Sequence, residues 1–464
     1  MTELHWLTAS DIAAAYAARK LSPVELLEAL LARIAKLDPK LHAFTQLDAD
    51  FAMDAARLAE HELFAGRSRG RLHGVPIGIK DIFDVAGLPT TCNSKLMLDH
   101  VATHDAHVVA RLRAAGAIIL GKLGTHEFAI GGPSFDLPFP PPRNPWNPDH
   151  HPGGSSSGSG AGIAAGLFPI ALGSDSGGSV RHPASACGIT GLKPTYGLVS
   201  RTGVAPLSFT VDHVGPMARS AADVALLLDA IAGHDARDPG SVAQVQKGFG
   251  DDLSLELRGM RVGFVRHFHE QDLTADPEVH AALERVADTF VAKGATVSTV
   301  VLPPLNEFAG VCRVILSAEV WLIHAERLRS RAGDYGQLSR QRLMTGAFLS
   351  ADDYFRAQKR RTEMIAAVDE AFGRVDILLT ASALAPPCRI EDPDMLAATH
   401  QLQAWTPFNV TGHPAVSVMA GVSRSGLPLS AQLVAPAFRD SLVLKSAAAY
   451  ERSTEWHSLR PSVA

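Results

Sequence analysis

The sequence predicts a single large α/β domain, and three observations carry that prediction. Strand-like and helix-like patterns alternate from Leu72 to the end of the chain, as expected where helices cover a sheet. No internal repeat or low-complexity segment divides the chain, and the strand-like runs beyond Met260 read as continuations of one sheet. The 464 residues are 46% hydrophobic and 20% charged, enough for a large core. Length alone would allow two or three domains, but the loop-like stretch at 234–252 is the sole candidate linker.

Residues 1–65 read as a helical N-terminal arm. Ser22-Pro23-Val24-Glu25 is a capping box with proline at the first helical position, and Leu26, Leu27, Leu30, Leu31 and Ile34 follow at helical spacing. A second helical pattern runs from Asp50 to Ala65. From Leu72 short β-like runs begin (HGVPIGIKDIFDV), then a helix-like DAHVVARLRAAG at 105–116 and a strand-like AIILGK at 117–122. Asp136 to Pro152, dense in proline and asparagine, must be loop. Beyond Pro216 the pattern predicts helices at 221–232, 277–294, 306–330, 351–372 and 441–452. Strands are expected at 260–265, 296–302, 375–380, 415–419 and 431–434.

Composition narrows the function classes. A formal net charge of −5 without any lysine or arginine run gives no electrostatic footprint for nucleic acid or an anionic membrane. No apolar stretch reaches the ~20 residues needed to span a bilayer. The four cysteines (Cys92, Cys187, Cys312, Cys388) are scattered without a Cys-x-x-Cys, so reduced thiols are expected and no cysteine metal site is indicated. The first residues lack the basic and apolar regions of a signal peptide; the expected location is cytoplasmic.

The chemistry centres on His151 to Lys193, HPGGSSSGSGAGIAAGLFPIALGSDSGGSVRHPASACGITGLK. Glycine at this density permits turns that aim consecutive N–H groups into one concavity, the construction of an oxyanion hole. Ser179, after Ser176, Gly177 and Gly178, therefore has the surroundings of an acyl-transfer nucleophile. It needs a base. His126, His182 and His213 lie in or near this region, though sequence does not bring any of them to Ser179. Lys80, flanked by apolar residues in VPIGIKDIF, would become a proton acceptor if buried; alternatively it snorkels to the surface or pairs with Asp81. The GSSSG at 154–158 matches a nucleophile elbow centred on Ser156, but no strand leads into it. Gly160 to Ala165 fits a dinucleotide fingerprint equally poorly. His126-Glu127 lacks the second histidine of a zinc-protease helix, and His104 with His107 is too little for a metal site.

The combination of GVPIGIKD, GGSSSGSGAG, ALGSDSGGSVRHPASACGITGLKPTYGLVSRTG and VDHVGPMARS resembles the amidase signature family. The likeness is dense over a core at 70–220 and extends more loosely to TPFNVTGHPAVSV and GLPLSAQLV. It implies a central mixed β-sheet covered by helices on both faces. It also implies an amidohydrolase that cleaves a carboxamide C–N bond through an acyl-enzyme. Matching motif to motif makes Lys80 the base, Ser155 the bridging serine after a cis peptide bond, and Ser179 the nucleophile. The separations, 75 residues from Lys80 to Ser155 and 24 from Ser155 to Ser179, suit that family. By the same resemblance the backbone N–H groups of Ser176, Gly177, Gly178 and Ser179 form the oxyanion hole. Asp175 and Arg181 would hold the nucleophile loop, and Ser156 would bond near the lysine. Serines 174 and 176 flank the aspartate where the family commonly has threonines, which keeps the hydroxyls.

The chemistry calls for no metal or organic cofactor, and the expected partner is a small-molecule amide, with homodimerisation plausible by resemblance. Pocket walls are expected from Phe128 to Gly132, the proline loop at 134–146, and the regions of Trp321 and Trp405; the FDLPFPPP run favours a hydrophobic acyl group. The nearest rival is the glutaminase (A-type) component of a tRNA-dependent amidotransferase, which would need partner chains and a charged pocket. A catalytically silent binding protein on the same scaffold is the rival of another class.

Overall fold

The computed structural model describes residues 3–461 other than 244–246, 400 and 402, together with residue 463. Among the described residues eleven strands form one mixed sheet in the order β1-β3-β2-β4-β6-β5-β10-β11-β9-β7-β8. They are β1 (Phe44–Leu47), β2 (Pro76–Lys80), β3 (Ile118–Leu123), β4 (Ile170–Asp175), β5 (Thr190–Lys193), β6 (His213–Ala218), β7 (Arg261–Phe264), β8 (Thr296–Thr299), β9 (Ile377–Ala381), β10 (Ala415–Val422) and β11 (Pro428–Val434). Two parallel groups, β3-β2-β4 and β9-β7-β8, flank an antiparallel centre. Every residue of β2, β3, β4, β5, β6, β9 and β11 is buried. Neighbouring side chains in a strand point to opposite faces, so both faces of the sheet are covered.

The predicted helices form, including Ala221–Ile231, Pro277–Ala292, Leu305–Arg331, Ala351–Phe372 and Asp440–Glu451. The Ser22 capping box is made as expected, with Ser22 and Glu25 bonding reciprocally. Three local readings differ. The N-terminal arm is not wholly helical: Phe44–Leu47 pairs antiparallel with β3 and stitches the arm to the sheet edge. The glycine- and serine-rich run becomes a helix at Ser157–Ala164 despite poor propensity. Its glycines permit close packing; a Cβ on Gly162 would lie 2.1 Å from the Phe168 ring. In the 234–252 segment, residues 244–246 lie outside the described residues, but its described part is anchored inward, with Asp238 paired to Arg201 at 2.8 Å and Phe249 buried.

Helix Leu305–Arg331 lies within a 30-residue segment apolar enough to cross a membrane by length and composition. Here it packs on helices Ala351–Phe372 and Thr406–Thr411 and buries Phe308, Cys312, Ile315 and Val320. Its buried Glu319 accepts hydrogen bonds from the Phe209 and Thr210 backbones and the Tyr354 hydroxyl, which fixes the helix against the loop before β6.

Candidate active site

The parallel strands β2 and β4 lie side by side, with Ile77 opposite Ile170 and Ile79 opposite Leu172. Both run the same way, so Lys80 at the end of β2 emerges beside Ser174 and Asp175 at the end of β4, outside the carboxyl edge where α/β sheets place their sites.

Lys80 is fully buried. Its Nζ lies 2.7 Å from Ser155 Oγ and 2.8 Å from Ser174 Oγ. The two other fates open to this lysine do not hold: it does not reach solvent, and Asp81 pairs with Lys122 at 2.9 Å instead. Burial drives the Lys80 pKa from 10.5 down to about 7, against the opposing pull of Asp175 and Asp212. A neutral amine in contact with two hydroxyls can accept a proton near neutral pH. The peptide bond between Gly154 and Ser155 is cis.

Ser155 and Ser179 are brought together by the backbone. The Ser156 N–H donates to the Ser179 carbonyl at 3.2 Å, and Ser155 and Ser179 line one cavity. Ser179 is partly exposed there, whereas Ser155 is buried. Ser156 itself does not bond the lysine: its hydroxyl and the Ser174 backbone exchange hydrogen bonds at 3.2 and 3.3 Å. It thereby positions Ser174, the residue the sequence reading missed; a serine inside an apolar strand run gives no signal of its own.

The nucleophile loop is held by Asp175 and Arg181, both fully buried. Asp175 accepts from the Gly178 and Val180 N–H groups and from the Arg181 guanidinium at 2.9 and 3.0 Å. Burial alone would raise the Asp175 pKa; the Arg181 charge and hydrogen bonds, with the Asn409 amide, hold it well below the ordinary carboxylate range. Arg181 also donates to the Trp405 carbonyl, Gln432 and Asn409 at 2.9, 2.6 and 2.6 Å.

This arrangement corrects one expectation. The Gly178 N–H is spent on Asp175 Oδ1 at 2.7 Å, so it does not belong to the oxyanion set. Gly178 serves the loop's path instead, since at φ +119° it passes Trp405, where a Cβ would sit 2.8 Å from that side chain. Among the described residues the Gly177 and Ser179 N–H groups have no hydrogen-bond partner, which leaves them as donors toward the cavity. Ser176 borders the same cavity while its hydroxyl bonds Asp212 at 2.5 Å.

The cavity encloses about 460 Å³. Of the expected walls, Ala129 to Gly131 and Trp405 line it, whereas the 134–146 loop and Trp321 do not. The proline loop turns to a separate small hollow with Gly132, Pro133 and Leu137. The wall is not simply hydrophobic either, since Arg313 and Arg342 face the space and no Asp or Glu among the described residues does. His126 and His182 line it too; burial lowers the His182 pKa to about 4, and its Nδ1 accepts from the Gly154 N–H at 3.3 Å. His182 is therefore neutral and occupied. His213 is buried with Nδ1 2.7 Å from the Val211 carbonyl. A second cavity of about 420 Å³ lies behind, reaching Ser174, Ser176 and Asp212.

A buried lysine whose pKa is pulled down to about 7, a serine in contact with it and a partly exposed serine in the same cavity are the groups that a serine hydrolase without a catalytic histidine would need. Residues 25–444 match the Amidase family. The chain belongs to that family, and it is an enzyme that hydrolyses C–N bonds. It is 37% identical to the A-type component of the glutamyl-tRNA(Gln) amidotransferase of Chloroflexus aggregans, over 100% of both chains. Among solved structures it resembles a component of a vestigial protein complex tied to the origins of an s-triazine catabolic enzyme. That match has a TM-score of 0.90, with 33% identity over 96% of this chain and 98% of the other. The peptide amidase of Stenotrophomonas maltophilia superimposes with a TM-score of 0.86, at 29% identity over 97% of each chain.

Proposed function

We propose that the chain hydrolyses a small-molecule amide with Ser179 as nucleophile, Lys80 as base and Ser155 as the bridge between them. Ser179 Oγ attacks the carbonyl carbon as its proton passes to Ser155 Oγ, and the Ser155 proton passes to Lys80 Nζ. The Gly177 and Ser179 N–H groups receive the oxyanion, each such donor contributing roughly 3–4 kcal/mol. The relay then reverses and protonates the departing amine, which a neutral leaving group requires. Water repeats the attack and releases the acid. The observation that carries this reading is the 2.7 Å contact between a fully buried lysine and Ser155 beside the nucleophile loop.

The second reading, the glutaminase component of an amidotransferase, is favoured by the full-length likeness to proteins of that kind. Against it, no carboxylate among the described residues faces the cavity to receive glutamine's α-ammonium group. A stand-alone amidase is the better fit.

The test is intact mass after treatment with a small fluorophosphonate. One adduct is expected on the parent, none on Ser179→Ala, and slow labelling on Lys80→Ala. An adduct that persists on Ser179→Ala would identify a different nucleophile. Glutamine hydrolysis by the isolated chain, with other amides untouched, would favour the second reading.

A further inference from the structure

Far from the catalytic cavity, the chain leaves β7 through the short helix His267–Glu270 and, after a turn, enters helix Pro277–Ala292. Three side chains that can ligate a metal come together there: His269 and Glu270 from the first helix and His280 from the second. One ligand atom of each lies within 4.8 Å of the other two. His269 Nε2 is 3.9 Å from Glu270 Oε1, and the His269 and His280 ring centroids are 5.5 Å apart. In the sheet β7 is separated from the lysine-bearing β2 by β4, β6, β5, β10, β11 and β9, so the cluster stands roughly 30 Å from Lys80 at the spacing of paired strands.

His269 is what separates this cluster from an ordinary group of surface side chains. Its side chain is fully buried, yet among the described residues neither ring nitrogen has a hydrogen-bond partner. A buried imidazole normally uses both nitrogens, because an unmade bond leaves the whole desolvation of that atom uncompensated. His267, two residues earlier, does so: its Nδ1 is 3.0 Å from Asp272 Oδ2, and its Nε2 accepts from the Leu302 N–H at 3.2 Å. Burial pulls the His269 pKa down to about 4, so the ring is neutral and has a lone pair to give. The Phe264 ring, stacked 5.5 Å away, holds its plane. The local charge suits a cation. Arg266 gives both nitrogens of its fork to Glu284 and meets Glu270 Oε1 at 3.6 Å, beyond hydrogen-bond range. Two carboxylates against one guanidinium leave a net negative charge beside the imidazoles.

We propose that His269, Glu270 and His280 bind one divalent ion of the zinc class, with water completing a tetrahedral shell. Two imidazoles and one carboxylate are a set that zinc accepts, whereas magnesium and calcium take oxygen ligands. At bond lengths near ~2.1 Å two ligands of one ion stand at most about 4.2 Å apart. The 3.9 Å between His269 Nε2 and Glu270 Oε1 already fits, and the widest separation closes with a fraction of an ångström of side-chain movement. The Glu270 side chain, 31% exposed, leaves the ion a way in. His269 Nδ1 has no acceptor behind it to orient the ring, so the affinity is micromolar rather than nanomolar. The ion fastens the segment after β7 to helix Pro277–Ala292 and takes no part in amide hydrolysis.

Calorimetric titration of the full chain with zinc chloride, after treatment with a chelator and dialysis, tests this. One equivalent is expected to bind, with affinity falling at least ~100-fold in His269→Ala and about tenfold or more in His280→Ala and Glu270→Gln. Magnesium chloride should give no saturable heat. Zinc at about a hundred times its Kd should raise the thermal midpoint of the parent by about 2–3 °C and leave that of His269→Ala where it was. Cobalt chloride serves as a coloured stand-in: the parent should develop the visible bands of a tetrahedral cobalt ion, and His280→Ala should not. Glu270 and His280 are more exposed than His269, so their variants keep the test valid if His269→Ala folds poorly. A parent that binds no zinc equivalent overturns the proposal, as does an equivalent whose affinity survives both His280→Ala and Glu270→Gln, or one that magnesium fills equally well.

Discussion

Removing the base should stabilise the protein while silencing it, and the size of the effect should depend on pH in a fixed direction. Lys80 titrates near 7 in the folded chain against 10.5 when unperturbed. A depression of that size costs the fold roughly 5 kcal/mol once the lysine is protonated in both states. The cost is complete below pH 7, where folded and unfolded lysine each carry a proton. It fades between pH 7 and 10.5, where the folded lysine has given up its proton and the unfolded lysine still holds one. Lys80→Met removes the titration and fills the same slot, but it forfeits the contacts to Ser155 and Ser174, worth about 1 kcal/mol each. The expected net gain is about 2–3 kcal/mol at pH 7, shrinking to nothing or reversing by pH 9.5. Urea midpoints of parent and variant at pH 6.5, 8 and 9.5 measure it, beside loss of at least ~10³-fold in kcat/KM. The parent's own rate should fall as pH drops through 7. A stability difference that is flat or grows with pH would refute the buried, neutral lysine and the mechanism built on it.

Two other outcomes follow from the site. Ser174→Ala removes one of the two hydroxyls that orient Lys80 Nζ and favour its charged form; kcat should fall about tenfold at constant KM, with the acidic limb of the pH profile moving below 7. A rise in KM at unchanged kcat would place Ser174 in substrate binding instead. Arg181→Lys cannot satisfy four acceptors with one ammonium, so destabilisation of roughly 3–5 kcal/mol is expected. Asp175, held below its ordinary range, contributes stability above about pH 4 that is lost on acidification. The Arg181 variant should lose stability earlier on the acid side, read from thermal midpoints between about pH 7 and 3.5.

Much of this was legible in the sequence. Ser179 stood out for the glycines that precede it and Lys80 for its apolar neighbours, whereas Ser155 and the base role of Lys80 came only with the resemblance to the amidase signature family. The long helices and the later strands were marked by periodicity that tertiary packing did not override. What escaped was relational. Gly178 looked like an oxyanion donor until Asp175 was seen to occupy its N–H, a matter of side-chain position that sequence does not carry. Ser174 was hidden in a strand run, and β1 in a stretch between helices, because its edge pairing depends on β3, far along the chain. Helix Ser157–Ala164 defied propensity, since contacts with Phe168 and Pro183 outweigh the weak local preference of Ser and Gly. The proline loop misled most: its irregular path was read correctly, but its apolar face serves another hollow, and the arginines on the true wall lie on helices whose charges look solvent-facing by periodicity.

The fastening of Arg181 has a consequence for how the enzyme comes into being. Its acceptors include Gln432, which follows it by 251 residues. At ordinary rates of ribosomal synthesis that is a delay of roughly 10–50 s. During this interval the lysine, both serines and the aspartate have all been made, but of the four acceptors of the guanidinium only Asp175 is at hand, and Trp405, Asn409 and Gln432 are still to come. A growing or prematurely ended chain therefore carries all the reactive groups but lacks three of the four contacts that fasten the Arg181 side of the loop.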